Sequence, residues 1–203
     1  MASPYKIYCL GNVLLDKGYS YLNSQGIGNK KAVRMNDIDR GALGSLYDLT
    51  YDSTLIVPQL YLGNSCNARN YYDLESNKVG LIINSSPCIS NYFENEFKYY
   101  NVEVEDISGA NILCHLDKVV TEMNEFIENN PQKSVFVHCF MGSSRSATII
   151  IAYLIKYHNY NLRDALNYVK EKREVVNLNK DFFKQLLEFE KNIRSNSAGN
   201  GNK

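Results

Sequence analysis

The sequence has no excess charge of either sign and no long apolar run, and both shortages exclude classes of protein. Lysine plus arginine and aspartate plus glutamate number 22 each among 203 residues, so the formal net charge is zero. This balance argues against a general electrostatic attraction to nucleic acid or to an anionic membrane. The longest apolar run, residues 147–155, is far too short to span a bilayer. We therefore expect neither nucleic acid nor a membrane as a partner.

Histidine is scarce, and the cysteines follow no metal-binding pattern. There are three histidines and five cysteines, and no Cys-x-x-Cys pair occurs. An odd number of scattered cysteines argues for a reducing compartment and against a disulfide framework or a zinc site. The first residues also lack an apolar signal region. We expect a protein of the cytoplasm, with the nucleus as the alternative, and no metal or other cofactor.

The most informative stretch is residues 135–147, VFVHCFMGSSRSA. Three β-forming residues precede a His-Cys pair, then a short loop with one glycine leads through an arginine into the apolar run. The pattern predicts a buried strand, a tight loop and a buried helix. A loop at a helix start directs backbone N–H groups and partial positive charge at one point, which suits a tetrahedral oxyanion. Arg145 would add a bidentate, permanently charged fork.

Cys139 lies at the base of this predicted anion cradle. Such surroundings depress the pKa of a thiol, so we expect a thiolate near neutral pH. A thiolate, an anion cradle and an arginine together indicate nucleophilic attack on a phosphoryl group. A buried structural cysteine beside an unspecific phosphate loop is the alternative. It does not explain why His138, Cys139, Gly142 and Arg145 occur together at this spacing.

The order His-Cys-x-x-Gly-x-x-Arg-Ser resembles the signature of the cysteine-dependent protein tyrosine phosphatases. The variant Gly-Ser-Ser-Arg-Ser-Ala is similar to the dual-specificity branch of that superfamily. The resemblance implies that Cys139 is the nucleophile and that Arg145 clamps the phosphate. It also implies that Ser146 hydrogen-bonds the sulfur and that His138 orders the loop. The implied phosphate-binding backbone amides are those of Phe140, Met141, Gly142, Ser143, Ser144 and Arg145.

A general acid is needed as well, because a thiolate expels an alkoxide poorly unless the leaving oxygen is protonated. In the family that the motif resembles, this acid is an aspartate at the end of the strand upstream of the signature. Residues 97–106 alternate between apolar and polar, which predicts a half-buried strand with Asp106 at its end. We predict Asp106 as the acid, although an aspartate here also suits a plain turn. Glu103 and Glu105 are the alternatives, and the alternation places both toward solvent.

The remaining patterns predict an α/β fold with a mostly parallel central sheet and helices on both faces, similar to protein tyrosine phosphatases. Pro58 marks the strand pattern of residues 55–63 as an edge or bulge. Asn64 or Ser65 is expected to cap a short helix. We predict an opening extension of residues 1–53 with partial order, a catalytic domain of residues 54–194 and a polar flexible tail of residues 195–203. The last helix is predicted over residues 180–193.

The sequence thus predicts an active dual-specificity protein phosphatase for phosphotyrosine and phosphoserine or phosphothreonine. The alternative is a phospho-binding scaffold with weak catalysis. The expected partners are phosphoproteins, with signalling kinases among the candidates, and the expected state is a monomer or weak homodimer. Some relatives hold a second cysteine that traps the oxidised nucleophile as a disulfide. Cys88 occupies such a loop, but the sequence does not show that it reaches Cys139.

Overall fold

A computed structural model describes residues 53–199 of the chain, with side chains described to residue 195. Apart from Ser53, the predicted extension lies outside the described residues, as do residues 200–203 of the predicted tail. Within the described range, one five-stranded sheet has the strand order β1-β2-β5-β3-β4. Its strands are β1 Thr54–Val57, β2 Leu60–Gly63, β3 Val79–Asn84, β4 Lys98–Asn101 and β5 Ser134–His138.

The predicted mostly parallel sheet is confirmed. β2 and β3 flank β5 as parallel neighbours, and β4 extends the sheet in parallel beyond β3. β1 runs antiparallel to its neighbour β2, with a register shift between Leu55 and Val57. Pro58 therefore falls beside an irregular edge strand, where a missing N–H is tolerated.

Helices cover both faces of the sheet. Successive strand residues point to opposite sides, so one strand contributes apolar side chains to both faces. Val135 and Val137 of β5 lie in the main core, whereas Phe136 lies in a second cluster with Leu74 and Ile82. The helices are α1 Ser65–Arg69, α2 Tyr71–Ser76, α3 Leu113–Asn129, α4 Arg145–Tyr157, α5 Leu162–Lys172 and α6 Lys180–Gly199. The main core packs against α3, α4, α5 and α6, and the second cluster against the short α1 and α2.

Local signals in the sequence placed the starts of two helices correctly. The Asn64 side chain accepts hydrogen bonds from the backbone N–H groups of Cys66 and Asn67 and so caps α1. α6 begins at Lys180 as predicted but continues to Gly199, beyond the predicted end at residue 193. No proline or glycine precedes Gly199 in this helix, so nothing in the sequence ends it earlier.

The strand predicted over residues 97–106 is shorter than expected. β4 ends at Asn101, because its neighbour β3 ends at Asn84 and offers no further residues to pair with. The Val102 N–H still donates to Asn84 O at 2.8 Å, and the chain then turns through a hydrogen bond from Val104 N to Val102 O at 3.0 Å. The alternation of burial nevertheless continues, with Val102 and Val104 buried. Among residues 53–199, no helix is both long and apolar enough to cross a membrane.

Candidate active site

Cys139 lies between the end of β5 and the start of α4, and only 1% of it is exposed. Its Sγ accepts hydrogen bonds from the Gly142 N–H and from Ser146 Oγ, each at 3.2 Å. Burial by itself raises the pKa of this thiol. The Arg145 charge and the hydrogen bonds from Ser146 and Gly142 outweigh burial and lower the pKa below its ordinary value. The surroundings therefore favour a thiolate.

The carbonyl groups of residues 140–144 all accept hydrogen bonds from donors elsewhere in the fold. Ser65 N donates to Phe140 O at 3.1 Å and Asn177 N to Ser143 O at 3.0 Å. In a planar trans peptide, the N–H of the next residue points opposite to the carbonyl. The carbonyl contacts therefore leave the amides of residues 141–145 on the side opposite to these donors, and for Gly142 the hydrogen bond from its N–H to the sulfur shows this directly. This is the orientation that a phosphate cradle needs, although phosphate binding at these residues stays a prediction.

Arg173 holds the two carbonyls in the middle of this loop, and sequence reasoning missed it. Its Nε donates to Gly142 O at 3.0 Å and its Nη2 to Met141 O at 3.4 Å. Its Nη1 donates to Thr54 Oγ1 on β1 at 3.2 Å. The side chain is 3% exposed, and burial lowers its pKa while the nearby Cys139 raises it. In the sequence, Arg173 follows a lysine- and glutamate-rich helix end that is typical of a solvated surface, so no local signal marks it.

Gly142 is required by its position. Its φ is +69°, and a Cβ there would lie 2.4 Å from Gly63 O at the end of β2. Both the backbone angle and the close approach exclude a side chain. The glycine in the signature therefore lets the loop turn tightly against the neighbouring strand.

Arg145 begins α4 but points into the site, where it is 2% exposed. Its Nη1 donates to Ser86 Oγ at 3.1 Å, in the loop after β3, and to Val104 O at 3.2 Å. Its Nε lies 3.8 Å from Asp106 Oδ2. The guanidinium is thus oriented by two separate segments of the chain, which limits the rotamers available to it.

Asp106 contacts the same loop through its carboxylate. Its Oδ1 accepts hydrogen bonds from Ser144 Oγ at 3.0 Å and from Asn179 Nδ2 at 3.4 Å. The structure therefore brings Asp106 together with the residues predicted from the signature. Glu103 and Glu105 are exposed, as their alternation predicted. The role of Asp106 as the acid stays a prediction, now supported by its position.

His138 is buried beneath the loop and stacks on Phe136, with ring centroids 5.5 Å apart. Its Nδ1 lies 3.4 Å from Cys139 O. Burial, together with the smaller effect of the Arg145 charge, lowers its pKa to about 4. A neutral, packed imidazole suits the predicted loop-ordering role. Met141, one of the residues whose backbone amide is predicted to bind phosphate, is 56% exposed.

Cys88 lies beside a hydroxyl that contacts Arg145. Its Sγ is 3.3 Å from Ser86 Oγ, the hydroxyl that accepts from Arg145. Cys88 and Cys139 are both free thiols in the structure. Within residues 53–199, no group of three or more His, Cys, Asp or Glu side chains is arranged to hold a metal ion.

Comparisons with known proteins agree on one family. The dual specificity phosphatase catalytic domain matches residues 60–192. Slingshot homolog 3 from mouse is 40% identical over 137 residues, which cover 66% of this chain and 20% of that protein. Dual specificity protein phosphatase 14 from mouse is 32% identical over 161 residues, covering 79% of this chain and 77% of that protein.

A solved structure gives the same result. The crystal structure of human DUSP28 superposes with a TM-score of 0.67 at 26% identity. The superposition covers 70% of this chain and 99% of that one. The matched part spans only about a fifth of the length of the mouse Slingshot relative. The chain belongs to the dual-specificity phosphatase family, within the protein tyrosine phosphatase superfamily.

Proposed function

We propose that this protein hydrolyses phosphotyrosine and phosphoserine or phosphothreonine in phosphoproteins through a phosphocysteine intermediate. The observation that carries the proposal is the surroundings of Cys139 Sγ. This sulfur accepts hydrogen bonds from the Gly142 amide and from Ser146 Oγ, inside a loop whose carbonyls accept from donors in the surrounding scaffold. Family membership supports protein phosphatase activity, and the buried thiolate site supports the mechanism.

In the first step, the Cys139 thiolate attacks phosphorus and a P–S bond forms. The bond from phosphorus to the substrate oxygen breaks, and Asp106 gives its proton to that oxygen. Arg145 and the inward amides hold the phosphoryl oxygens, where negative charge is concentrated in the transition state. The products of this step are the dephosphorylated side chain and the phosphocysteine.

In the second step, water attacks the phosphocysteine and Asp106 accepts a proton from it. The P–S bond breaks, inorganic phosphate leaves and the thiolate returns. Ser146 Oγ stabilises the departing sulfur by its hydrogen bond. The same residues thus serve both steps.

A phospho-binding scaffold is the alternative, but it requires misplaced catalytic groups. Here Asp106, Arg145 and Cys139 converge on one loop, which favours catalysis. We propose phosphoproteins of the cytoplasm as the partners. The mouse Slingshot relative is about five times longer than the matched part, so its full substrate range is not transferred to this chain.

Turnover measurements test the proposal. The protein should release phosphate from an aryl phosphate and from paired peptides that differ only in the phosphorylated residue. A trapped phosphocysteine at Cys139, seen by mass spectrometry after acid quenching, would support the intermediate. Binding of phosphopeptides without turnover would instead favour the scaffold. Activity confined to phosphotyrosine would retain the mechanism and contradict the dual preference.

A further inference from the structure

The loop of residues 107–112, which follows Asp106, is attached along its length to the start of α6. The side chains of two α6 residues, and of the residue just before this helix, form hydrogen bonds with successive residues of the loop. The contacts are Asn179 Nδ2 to Ile107 O at 3.1 Å, Ser108 Oγ and Gly109 N to Asp181 Oδ2 at 2.8 and 3.1 Å, Gln185 Nε2 to Ala110 O at 2.8 Å, and Ile112 N and Leu113 N to Gln185 Oε1 at 2.8 Å each.

We propose that Asp181 and Gln185 are positioning residues for the general acid. They fix the loop that leads away from Asp106 and thereby hold its carboxyl group beside Arg145 and the phosphate cradle. The proposal rests on the proposed function, because it assigns Asp106 the role of the acid. Both residues act through the loop and lie outside the cluster of reacting groups.

The apolar core holds this segment mainly at its two ends, and Ala110 between them packs against it only as a partly buried residue. Val104 before it and Ile112 at its end are 5% and 0% exposed. Between them, Ile107 is 56% exposed, and a Cβ added at Gly109 would meet nothing within 4 Å. A loop with so few packing contacts opens easily unless other interactions hold it. The hydrogen bonds from the start of α6 are interactions of that kind.

Asp181 is available for the loop because another residue caps its helix. Asn179 Oδ1 accepts from Asp181 N at 2.9 Å, the usual task of an N-cap. The Asp181 carboxylate then divides its two oxygens, Oδ1 to Lys184 Nζ at 2.9 Å and Oδ2 to the loop. Hydrogen bonds from Lys184, Ser108 and Gly109 lower the pKa of Asp181 to about 2. The carboxylate is therefore charged throughout the pH range in which a protein phosphatase is assayed.

Gln185 performs a second capping task, on a different helix. α3 begins after Ile112 without a cap from that residue's own side chain. Asn111 Oδ1 accepts from Cys114 N at 3.3 Å, and Gln185 Oε1 accepts from Ile112 N and Leu113 N, which an isolated helix end would leave without partners. This explains a polar side chain on the face of α6 that also carries the buried Phe182 and Leu186.

The kinetic test uses Asp181→Ala and Asp181→Asn, with Lys184→Ala as the matched control. Lys184→Ala removes the other partner of the same carboxylate but leaves the loop contacts. With a phosphoserine peptide, Asp181→Ala should lower kcat by roughly three- to thirtyfold, less than the ~10²–10⁴ loss expected without the acid. With an aryl phosphate of an acidic phenol, kcat should change less than about twofold, because that leaving group needs little protonation. KM and vanadate affinity should be unchanged.

Asp181→Asn keeps an acceptor oxygen and should recover part of the loss, and Lys184→Ala should behave as wild type. Equal losses for both substrates in Asp181→Ala would overturn the proposal, since a general structural defect acts on every substrate. An unchanged kcat for the phosphoserine peptide would also overturn it.

Hydrogen exchange separates this proposal from the proposed function, because it needs no turnover. In the full chain, Asp181→Ala should speed exchange of the Gly109 amide by at least about tenfold, and Gln185→Met should do so for Ile112 and Leu113. Amides of β5 should keep their protection. If the wild-type protein showed no turnover, the proposed function would be refuted, but the exchange data would still test whether α6 holds the loop. Unchanged exchange in the loop of both variants would overturn the positioning proposal.

Discussion

The two loops that meet at the active site are held in opposite ways. The nucleophile loop, residues 139–145, is mostly buried, and its carbonyls bind backbone donors and the buried Arg173. The acid loop, residues 106–112, is largely exposed and is held by side chains at the start of α6. One loop is part of the core, and the other is attached to it.

The difference separates two parts of the chemistry. Breaking a buried hydrogen bond leaves an unsatisfied group and costs about 1–3 kcal/mol, whereas an exposed bond, whose groups return to water, contributes about 0.5–1.5 kcal/mol. The nucleophile loop is therefore expected to be rigid and the same for every substrate. The position of the acid loop is expected to depend on its contacts with α6. A change in that position should lower kcat most for substrates whose oxygen is a poor leaving group.

The largest effect is expected at the centre of the rigid loop. Cys139→Ser should abolish turnover of every substrate while the protein stays folded, because a serine hydroxyl is not ionised at neutral pH. Phosphate release and circular dichroism measure the two parts of this expectation. Cys114→Ser, which changes an exposed thiol, is the control and should be fully active. Retained activity in Cys139→Ser would rule out the phosphocysteine mechanism.

Asp106→Ala tests the other side of the comparison and should have the next largest effect. Loss of the acid should lower kcat about 10²- to 10⁴-fold for serine or threonine phosphates. The loss should be smaller for aryl phosphates with acidic phenols, so the dependence on leaving-group acidity should steepen. Substrate binding should survive, because the phosphate cradle is unchanged.

The controls for this variant are Glu105→Ala and Glu103→Ala, since both residues were alternatives for the acid. Each should retain near-normal kinetics with every leaving group. If Asp106→Ala lost little with the poor leaving groups and one of the glutamate variants lost much, the acid would have been assigned wrongly.

The same contrast explains what the sequence could predict. The nucleophile, the arginine, the glycine and the strand–loop–helix lie within residues 135–147, so local pattern was enough. Arg173, Asp181 and Gln185 act on segments that are distant along the chain. Each is a polar residue on or beside a helix that has a solvated face, and its partner becomes visible only when the fold brings the segments together. The early end of β4 has a similar cause, because the length of its neighbour decides it.

Arg173→Lys should have an intermediate effect that is equal for all substrates. Lysine keeps the charge but loses the planar fork that reaches Gly142 O and Met141 O together. We expect kcat/KM to fall about tenfold with aryl and alkyl phosphates alike, in line with one unsatisfied buried carbonyl. Vanadate binding should weaken in parallel. A loss confined to poor leaving groups would place Arg173 with the acid loop instead.

The smallest effect on kcat/KM is expected for Ser146→Ala, which removes one donor from the Cys139 sulfur. A hydrogen bond to a charged group contributes about 1.5–3 kcal/mol, and about 1.36 kcal/mol corresponds to one pKa unit. The thiol pKa should therefore rise by about one to two units. The rate of alkylation at Cys139, followed by mass spectrometry across pH, measures this shift.

The consequence for catalysis differs between the two steps. The thiolate is the reactive form, so a higher pKa moves the acidic limb of kcat/KM to higher pH, and above the new pKa the first step should recover. The second step should not recover, because the departing sulfur has lost its donor at every pH. Phosphocysteine should therefore accumulate, giving a burst of alcohol release before the steady state.

Thr148→Val is the control, since that hydroxyl donates to Ser144 O. It should change neither the alkylation profile nor the size of the burst. An alkylation profile in Ser146→Ala that matched wild type would show that the 3.2 Å contact with the sulfur does not stabilise the thiolate.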